Sequence, residues 1–509
     1  MKLIKLKSTV IGVLGSFFTV VLMYHLVELN TRPVYTHYLD STEITNYTLL
    51  TSLLSVQDTP ISPSITPTYN TTDGLVLYTD KPTSAFLDLV CQWNHTNVHW
   101  ITFDTMVDCQ HVVNHKIQHK SELHSLLEHI APRVVIYQSK DAWVPMEGTT
   151  WIHLPDVEEI HWLSDLSMEA LEAWHTPQIK LIVSTSGKKK SMQVKRLFES
   201  IQAAEYLNDQ LDLFVLMDEK TDTATMQFIH RLPWKHGEKQ MRHRIATVHP
   251  MQHFVESWYP SSDHEYAILL DDRVQVSTGY YLWLKYALLK YRYSSRSTPL
   301  FGISLYAPRI IDTDPTGRQY LHKSTDYWMQ LPSSTALYFP EYWREFHDYI
   351  TARLTDQSIV KRGSGLPHLF KDSLLTISRT NRWIHSWRKY FDEMIYMRGY
   401  VMLYPQQSYA TLYLSFKKDT PVSQLYNVPM TTTVATLADH LPLFDLHGQP
   451  VQQTQLIERG HQLQRKFSAC EPKIDHHHDP SDMLCPFSRL IQVPIDQDHI
   501  PIQSVSLYS

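Results

Sequence analysis

Two adjacent carboxylates follow an apolar segment, in a position where they could hold a ligand. The segment Tyr266–Leu270 has the pattern of a buried strand, and Asp271, Asp272 and Arg273 follow it directly. In open α/β sheets, ligands bind beyond the carboxyl ends of the strands. Acids there contact ribose or sugar hydroxyls, or bind a diphosphate through a bridging cation. The pair therefore suggests a nucleotide-sugar site; the alternative is a strand end whose acids cap a helix predicted over Tyr280–Arg292.

The preceding segments predict the sheet that would carry this strand. Strand and helix patterns alternate, which is typical of a doubly wound α/β sheet. The predicted elements are strands Ile179–Ser186 and Leu211–Met217 and helices Met192–Tyr206 and Thr223–His230. The first strand end and the Asp271–Asp272 strand end are expected to face one ligand. Thr185 and Ser186 are therefore predicted to meet the base or ribose of a nucleotide.

Basic residues near these strand ends are candidate contacts for a diphosphate. Lys188 begins a run of three lysines after the first strand, and Arg242 and Arg244 precede the Asp271 strand. A positive charge favours a nearby phosphate. The alternatives are a solvated turn for the lysines and surface ion pairs for the arginines.

Residues 75–175 predict a separate, smaller α/β domain. Its apolar strands, Leu75–Tyr78, Val98–Phe103 and Arg133–Tyr137, alternate with helical segments such as Ser121–Ile130. The segment has no glycine-rich phosphate loop, which favours an accessory role; a second nucleotide site is the alternative.

Composition bounds the class of protein. The chain has 509 residues and a mass of 59.6 kDa, enough for two or three domains. Hydrophobic residues make up 43% and charged residues 19%, as in ordinary globular proteins, and the net charge is −6. This balance does not show the basic footprint of a nucleic-acid-binding protein. Small molecules, glycans or proteins are the expected partners.

The amino-terminal region predicts a membrane anchor. Residues 8–28 are apolar and long enough to cross the roughly 30 Å core of a bilayer as a helix. Lysines in residues 1–7 predict a cytosolic amino terminus. Because no small-residue cleavage site follows, an uncleaved signal anchor is favoured over a cleaved signal peptide. Residues 29–74, rich in Thr, Ser and Pro, are the predicted stem.

Sequons and cysteines agree with a luminal location for the rest of the chain. The N-glycosylation sequons begin at Asn46, Asn70 and Asn94. The four cysteines make an even count, as expected in an oxidising compartment. Their spacing suggests Cys91 with Cys109 and Cys470 with Cys485, although three pairings are possible.

Residues 426–509 lose periodicity and form a predicted carboxy-terminal extension. It contains the Asp475–Asp479 run of acids and imidazoles. This run has the composition of either a metal-binding loop or a solvated polar loop, and the solvated loop is favoured.

Several blocks of the chain carry a family resemblance. They are Leu181–Ser186 with Leu197–Ile201, Val255–Lys285, Gly302–Tyr306, Tyr338–Phe346, and Asn381–Met394 with Arg398–Pro405. These blocks resemble GT-A-type nucleotide-diphospho-sugar transferases, in particular a eukaryotic family 2-like group that is distantly similar to N-acetylglucosaminyltransferase I. The resemblance implies a catalytic GT-A domain over residues 176–425, with a Rossmann-like doubly wound sheet.

One position departs from the family pattern. The last acid of the family's acidic triplet usually holds a divalent metal, and this chain has Arg273 in that place. An arginine is permanently charged and cannot bind a cation. Three outcomes are open: Arg273 neutralises the diphosphate itself, Asp271 or Asp272 holds the metal, or the site has lost its activity.

The resemblance also implies a catalytic base. An inverting sugar transfer needs a carboxylate that accepts the proton of the acceptor hydroxyl. The block Asn381–Met394 indicates Glu393, with Asp392 as the second choice. The alternative is that these acids lie on a helix surface and pair with Lys389 or Arg398.

Aromatic side chains in the same blocks are candidates for the acceptor site. Tyr342, Trp343, Trp383 and Trp387 could stack on the apolar faces of sugars. Packing in the core is the alternative for each ring.

The sequence therefore predicts a single-pass type II glycosyltransferase of the Golgi or endoplasmic reticulum membrane, with its catalytic part in the lumen. The donor would be a UDP- or GDP-sugar, and the acceptor a glycan or glycoprotein. A divalent metal such as manganese, held by Asp272, is left open. A rival hypothesis keeps the fold without catalysis, as a glycan-binding or scaffolding membrane protein.

Overall fold

The computed structural model describes most of the chain between residues 73 and 467. The described residues are 73–93, 97–139, 146–155, 159–185, 191–294, 299–308, 310–311, 313, 319–320, 323–361, 375, 378–383, 385–414, 420–421, 430–438 and 440–467. The predicted cytosolic tail, the anchor and nearly all of the stem lie outside them. So do the three sequons, Ser186, Lys188, Cys470, Cys485 and the Asp475–Asp479 run. Among the described residues, no helix combines the length and apolar character that a membrane span requires.

A five-stranded sheet forms the first part of the described chain. Its strands are β1 (Asp73–Tyr78), β2 (Asn97–Thr102), β3 (Val112–Lys116), β4 (Val134–Tyr137) and β5 (Thr150–His153). Its helices are α1 (Ser84–Gln92), α2 (Lys120–Ile130) and α3 (Met168–Glu172), with a 3-10 turn at His161–Asp165. The strands pair in parallel in the order β3-β2-β1-β4-β5. This confirms the predicted α/β class of the region, although β1 already begins at Asp73.

A disulfide bond joins Cys91 in α1 to Cys109, in the segment that leads into β3. The two Cα atoms are 5.5 Å apart. This is the pairing that the spacing suggested. Because β2 lies inside the closed loop, the bond ties α1 to the β2–β3 side of the sheet.

Fourteen further strands are described. They are β6 (Gln178–Thr185), β7 (Asp212–Met217), β8 (Lys239–His243), β9 (Glu265–Asp271), β10 (Val274–Val276), β11 (Leu300–Ser304), β12 (Ile310–Ile311), β13 (Gln319–Tyr320), β14 (Tyr327–Met329), β15 (Ala336–Tyr338), β16 (Val401–Tyr404), β17 (Ala410–Leu414), β18 (Thr420–Pro421) and β19 (Leu443–Phe444). Nine of them form one sheet in the order β19-β14-β16-β11-β15-β9-β6-β7-β8. A small sheet, β10-β17-β18, and a β12-β13 pair lie beside it.

Most strands of the nine-stranded sheet run in one direction. β8, β7, β6 and β9 are mutually parallel. β15 runs against both β9 and β11, so β11 has the direction of β9, and β16 is parallel to β11. The carboxyl ends of these six strands meet at one side of the sheet, which we call the carboxyl edge; the opposite side is the amino edge. The structure thus confirms a mixed α/β fold with a largely parallel sheet.

Helices cover both faces of this sheet. They are α4 (Ser191–Gln202), α5 (Thr223–Arg231), α6 (Pro250–Val255), α7 (Tyr280–Arg292), α8 (Pro340–Lys361), α9 (Trp387–Arg398) and α10 (Gln453–Phe467), with a 3-10 turn at Arg379–Arg382. Helices α4, α5 and α7 pack into one hydrophobic core on the first face. Helices α6, α8 and α9 pack into a second core on the other face.

Helix α7 is buried on nearly all sides and has the predicted bounds. It lies between the large sheet and the elements that follow the five-stranded sheet, the 3-10 turn and α3, which explains why it is buried on nearly all sides. The Lys285 Nζ donates a hydrogen bond to the carbonyl oxygen of Trp174 at 2.6 Å. The Tyr286 ring packs on Trp162, with ring centroids 5.2 Å apart. All described residues therefore belong to one compact unit.

The predicted carboxy-terminal extension contributes two elements to the fold. β19 pairs with β14 and is the outermost strand at one end of the strand order of the large sheet. Helix α10 packs against α9. Gly460 permits this close packing, because a Cβ there would lie 2.3 Å from the carbonyl oxygen of Met397. The expectation that regular structure ends near residue 426 is corrected.

Candidate functional site

The ends of β6 and β9 lie side by side at the carboxyl edge. Their parallel register pairs Ser184 with Asp271, and the backbone N–H of Asp272 donates to the carbonyl oxygen of Ser184 at 3.1 Å. From β6 the chain continues to β7 and β8 on one side, and then returns to β9 on the other side. The connections therefore diverge between β6 and β9, which is where ligands bind in open α/β sheets. We call this place the β6–β9 crevice.

Thr185 lies beside the crevice, next to Thr221 and Asp218, two residues that the sequence analysis had not identified. The Thr185 side chain is buried, and its Oγ1 is 3.4 Å from Oγ1 of Thr221. The backbone N–H of Asp218, the residue after β7, donates to the carbonyl oxygen of Thr185 at 3.2 Å. Among the described residues, Asp218 Oδ1 is shielded from solvent and has no hydrogen-bond partner. Such an acceptor suits a donor group of a ligand.

Asp271 and Arg273 form an ion pair at the end of β9. The Arg273 Nη2 is 2.6 Å from Asp271 Oδ2, and the Arg273 backbone N–H donates to Asp271 Oδ1 at 2.8 Å. The Asp271 carboxylate, with a smaller effect of Asp272, raises the pKa of Arg273. Asp272 itself is completely buried. The positive charge of Arg273 is thus already matched by Asp271.

This donor set does not suit a divalent cation. Both oxygens of Asp271 are engaged by Arg273, and a fixed positive charge lies beside them. A cation there would be repelled and would have to displace the guanidinium. Within the described ranges, no cluster of three or more His, Cys, Asp or Glu side chains could hold a metal ion. We therefore derive no step through a metal.

Arg242 and Arg244 lie farther along the same sheet. Arg242 is exposed on β8, the last strand of the sheet. The Arg244 Nη2 is 2.8 Å from Glu256 Oε2, in an ion pair of the kind that the alternative interpretation expected. Two strands separate β8 from β9, so the structure does not bring these arginines together with Asp271.

The two residues predicted as catalytic base lie in the interior. Glu393 and Asp392 are completely buried in α9. Glu393 Oε2 accepts hydrogen bonds from the Tyr349 hydroxyl at 3.0 Å and from Arg353 Nε at 3.2 Å. Asp392 Oδ1 accepts from Arg388 Nε at 3.0 Å. A base must reach the acceptor hydroxyl; in the structure both acids have these partners in the core, and their role as a base stays a prediction.

The surface pairing expected for these acids is also only partly present. Lys389 Nζ is 4.0 Å from Glu393 Oε1, in line with helical spacing. Arg398 pairs instead with Glu345, at 2.7 Å. Both contacts lie within the packing of α8 against α9, not on a helix surface.

Two of the four predicted acceptor rings lie at the wrong side of the sheet. Tyr342 and Trp343 lie in the first turn of α8, the helix that follows β15, and β15 is antiparallel to β9. They therefore lie near the amino edge, away from Asp271. Trp343 is fully buried, and its Nε1 donates to the carbonyl oxygen of Trp258 at 2.8 Å. Core packing, the alternative interpretation, explains both rings.

Trp383 and Trp387 fit the acceptor prediction better. They precede or begin α9, which runs back from the carboxyl edge to β16 at the amino edge. Both rings are partly exposed. Trp387 stacks on Phe254 with ring centroids 3.8 Å apart, which holds it in place. Their role in acceptor binding stays a prediction.

The structure also places Arg196 near the carboxyl edge, where it contacts Tyr413. The guanidinium carbon of Arg196, in α4, lies 3.2 Å from the centroid of the Tyr413 ring. Arg196 is one polar residue of a helix that the sequence predicted from its pattern, and nothing local connects it to a tyrosine on β17. Only the tertiary fold identifies the pair.

Comparison with known proteins gives a match to a family model and a match to a relative. A family model described as the SPBC1E8.03c C-terminal domain matches residues 188–359, which include the Asp271–Arg273 segment. The uncharacterized protein SPBC1E8.03c of Schizosaccharomyces pombe is 25% identical over 236 residues. That alignment covers 44% of this chain and 40% of the relative, so the chain matches less than half of the relative's length. Neither name states an activity.

Proposed function

We propose that the chain is a glycosyltransferase that moves a sugar from a nucleotide-sugar donor to a glycan or glycoprotein acceptor. The observation that carries the proposal is the β6–β9 crevice, where the end of β6 meets the Asp271–Asp272 carboxylates. A crevice between diverging connections of a parallel sheet is the usual nucleotide site of this kind of fold. The motifs quoted above add the GT-A resemblance. The proposal includes a type II membrane anchor and a luminal catalytic part in the Golgi or endoplasmic reticulum.

The chemistry divides among the strand ends. Thr185, Thr221 and Asp218 offer hydroxyl and carboxylate groups to the nucleoside, and the end of β9, with Asp271 and Asp272, would face the ribose or sugar of the donor. In the reaction, the acceptor hydroxyl oxygen bonds to the anomeric carbon of the donor sugar. The bond from that carbon to the diphosphate oxygen breaks, and the nucleoside diphosphate leaves with the bonding electrons. The hydroxyl proton passes to a base.

A second candidate function is glycan binding or scaffolding without catalysis. The burial of Glu393 and Asp392 favours this second function, because both residues that were expected to accept the proton lie in the core. Under this hypothesis the crevice would hold a nucleotide or sugar without transferring it.

The test is release of nucleoside diphosphate by the purified full-length chain. UDP- and GDP-sugars are supplied with a glycoprotein acceptor, with manganese or with EDTA. Asp272→Asn and Asp218→Asn are compared with Asp263→Asn, because Asp263 is exposed and lies before β9, at the amino edge. The proposal expects activity in the wild type and in Asp263→Asn, and at least a tenfold loss in the two crevice variants. Donor binding without release would favour the second candidate.

A further inference from the structure

An arginine at the carboxyl edge has donors that no described group uses. Arg196 lies in the second turn of α4, the helix that follows β6. Its Nε and Nη2 are shielded from solvent and have no hydrogen-bond partner among the described residues. A shielded polar group without a partner costs free energy, more so when it is charged. The fold therefore keeps a cation here to which no described residue offers a carboxylate.

The Tyr413 ring fixes the place of this cation. The guanidinium stacks on the ring at 3.2 Å, in a cation–π contact. The Tyr413 hydroxyl donates to Gln275 Oε1 at 2.7 Å, which holds the ring in turn. The stack therefore limits the positions that the Arg196 guanidinium can take.

The same tyrosine lies opposite Arg273. The backbone N–H of Tyr413 donates to the carbonyl oxygen of Arg273 at 2.8 Å, and the next pair of the ladder is Val274 with Leu412. Side chains directly opposite in an antiparallel pair share a face. Arg196 is thus stacked on a ring that neighbours Arg273, immediately beyond the end of β9.

The two arginines differ in their charge balance. Arg273 is paired with Asp271 at 2.6 Å. Arg196 stacks on an aromatic ring and keeps two donors unused within the described part of the chain. A guanidinium presents its donors as a planar fork that matches two phosphate oxygens. Arg196 is therefore better placed to accept an anion than Arg273.

We propose that Arg196, held over Tyr413, binds the diphosphate of the nucleotide donor and supplies the positive charge that stabilises it. This rests on the proposed function, since it assigns the diphosphate part of the same crevice. The amino-terminal end of α4, whose backbone N–H groups point toward the carboxyl edge, favours an anion at the same place. Arg196 is thus a binding residue, and it has the role of counter-ion to the diphosphate that one interpretation of the sequence gave to Arg273.

The test measures anion binding to the full-length chain in EDTA by calorimetry. The probes are inorganic pyrophosphate, UDP, GDP, UDP- and GDP-sugars, uridine and guanosine. Arg196→Gln removes the charge, and Tyr413→Leu removes the ring but keeps the arginine. Arg231→Gln is the control, because Arg231 is exposed at the end of α5, near the amino edge. Circular dichroism and thermal unfolding show whether each variant folds.

The proposal expects Arg196→Gln to lose at least tenfold in affinity for pyrophosphate and for the bound nucleoside diphosphate. Affinity for the nucleoside should stay within twofold, and Arg231→Gln should bind like the wild type. Tyr413→Leu should give a smaller loss. A folded Arg196→Gln that binds the diphosphate like the wild type would overturn the proposal.

The same data separate this inference from the proposed function. Pyrophosphate binding that depends on Arg196, without any nucleotide-sugar binding, would keep the anion site and reject the transferase. Nucleotide-sugar binding that does not depend on Arg196 would keep the transferase and reject the anion site. A folded wild-type chain that binds none of the probes would reject both.

Discussion

The guanidinium of Arg273 is bound by the carboxylate of Asp271, two positions earlier in the chain. Arg273 Nη2 lies 2.6 Å from Asp271 Oδ2, and the Arg273 backbone N–H lies 2.8 Å from Asp271 Oδ1. The sequence left three outcomes open for this site, and in one of them Arg273 is the counter-ion of the diphosphate. In the structure its charge is already matched, so the crevice needs another cation if it binds a diphosphate. Arg196 is the residue we assign to that task.

The Asp271–Arg273 pair is predicted to contribute little to stability. Arg273 is about half exposed, and an exposed ion pair is worth at most about 1 kcal/mol. Asp271→Asn should therefore lower the free energy of unfolding by less than about 1 kcal/mol. Chemical denaturation of the purified variant measures this difference. A loss of several kcal/mol would mean that the pair holds the end of β9 in place.

Glu393 is predicted to be a structural residue. It is completely buried and hydrogen-bonded to Arg353 and Tyr349, so its removal takes the paired carboxylate away from a buried arginine. Breaking a buried pair in this way costs about 3–5 kcal/mol. Glu393→Ala should show this loss in denaturation, and the exposed Glu458→Ala on α10 should not. A Glu393→Ala variant of normal stability that has lost transfer activity would restore the catalytic interpretation.

The Cys91–Cys109 disulfide is predicted to stabilise the part of the fold around the five-stranded sheet. The two cysteines are 18 positions apart. Closing a loop of this length reduces the entropy of the unfolded chain and stabilises the fold by about 3 kcal/mol. A Cys91→Ser, Cys109→Ser double variant should lose about that much in chemical denaturation under oxidising conditions. The two proteins should differ far less after reduction, and an unchanged oxidised stability would contradict the prediction.

His253 is predicted to make stability sensitive to acid. Burial lowers its pKa, Arg244 lowers it further, and Asp218 and Glu256 act in the opposite direction. The unfolded chain protonates this histidine near pH 6.5, whereas the folded protein does so only at a lower pH. The unfolded state thus binds more protons between these two values, and stability falls as the pH drops below about 6.5.

Denaturation curves at a series of pH values measure this effect. His253→Gln removes the titrating group, so its free energy of unfolding should decline less steeply than that of the wild type between about pH 6.5 and pH 5. Equal slopes for the two proteins would show that His253 is not held neutral by the fold.

Local patterns in the sequence predicted the central elements of the fold. Helix α7 has the predicted bounds, and β6, β7 and β9 differ from the predicted strands by one residue at their ends. Apolar runs and their periodicity depend on neighbours in the chain, so they can be read from it. The juxtaposition of Thr185 with Asp271 also followed, because parallel strands end at one edge.

The sequence could not predict the features that depend on distant partners. Because β15 is antiparallel to β9, Trp343 lies near the amino edge, and the direction of β15 depends on how the strands pair in the sheet. Glu393 is buried where α9 packs against α8, and it pairs there with Arg353 of α8. The contact of Arg196 with Tyr413 joins α4 to β17, and no spacing along the chain marks it.

The central claim is that the β6–β9 crevice binds a nucleotide sugar. Calorimetry of the full-length chain with UDP, GDP and their sugars, with manganese or EDTA, tests it most directly. We predict metal-free binding of one nucleoside diphosphate and its sugar, weakened at least tenfold by Asp272→Asn and unchanged by Asp263→Asn. A folded protein that binds no donor under either condition would contradict the claim.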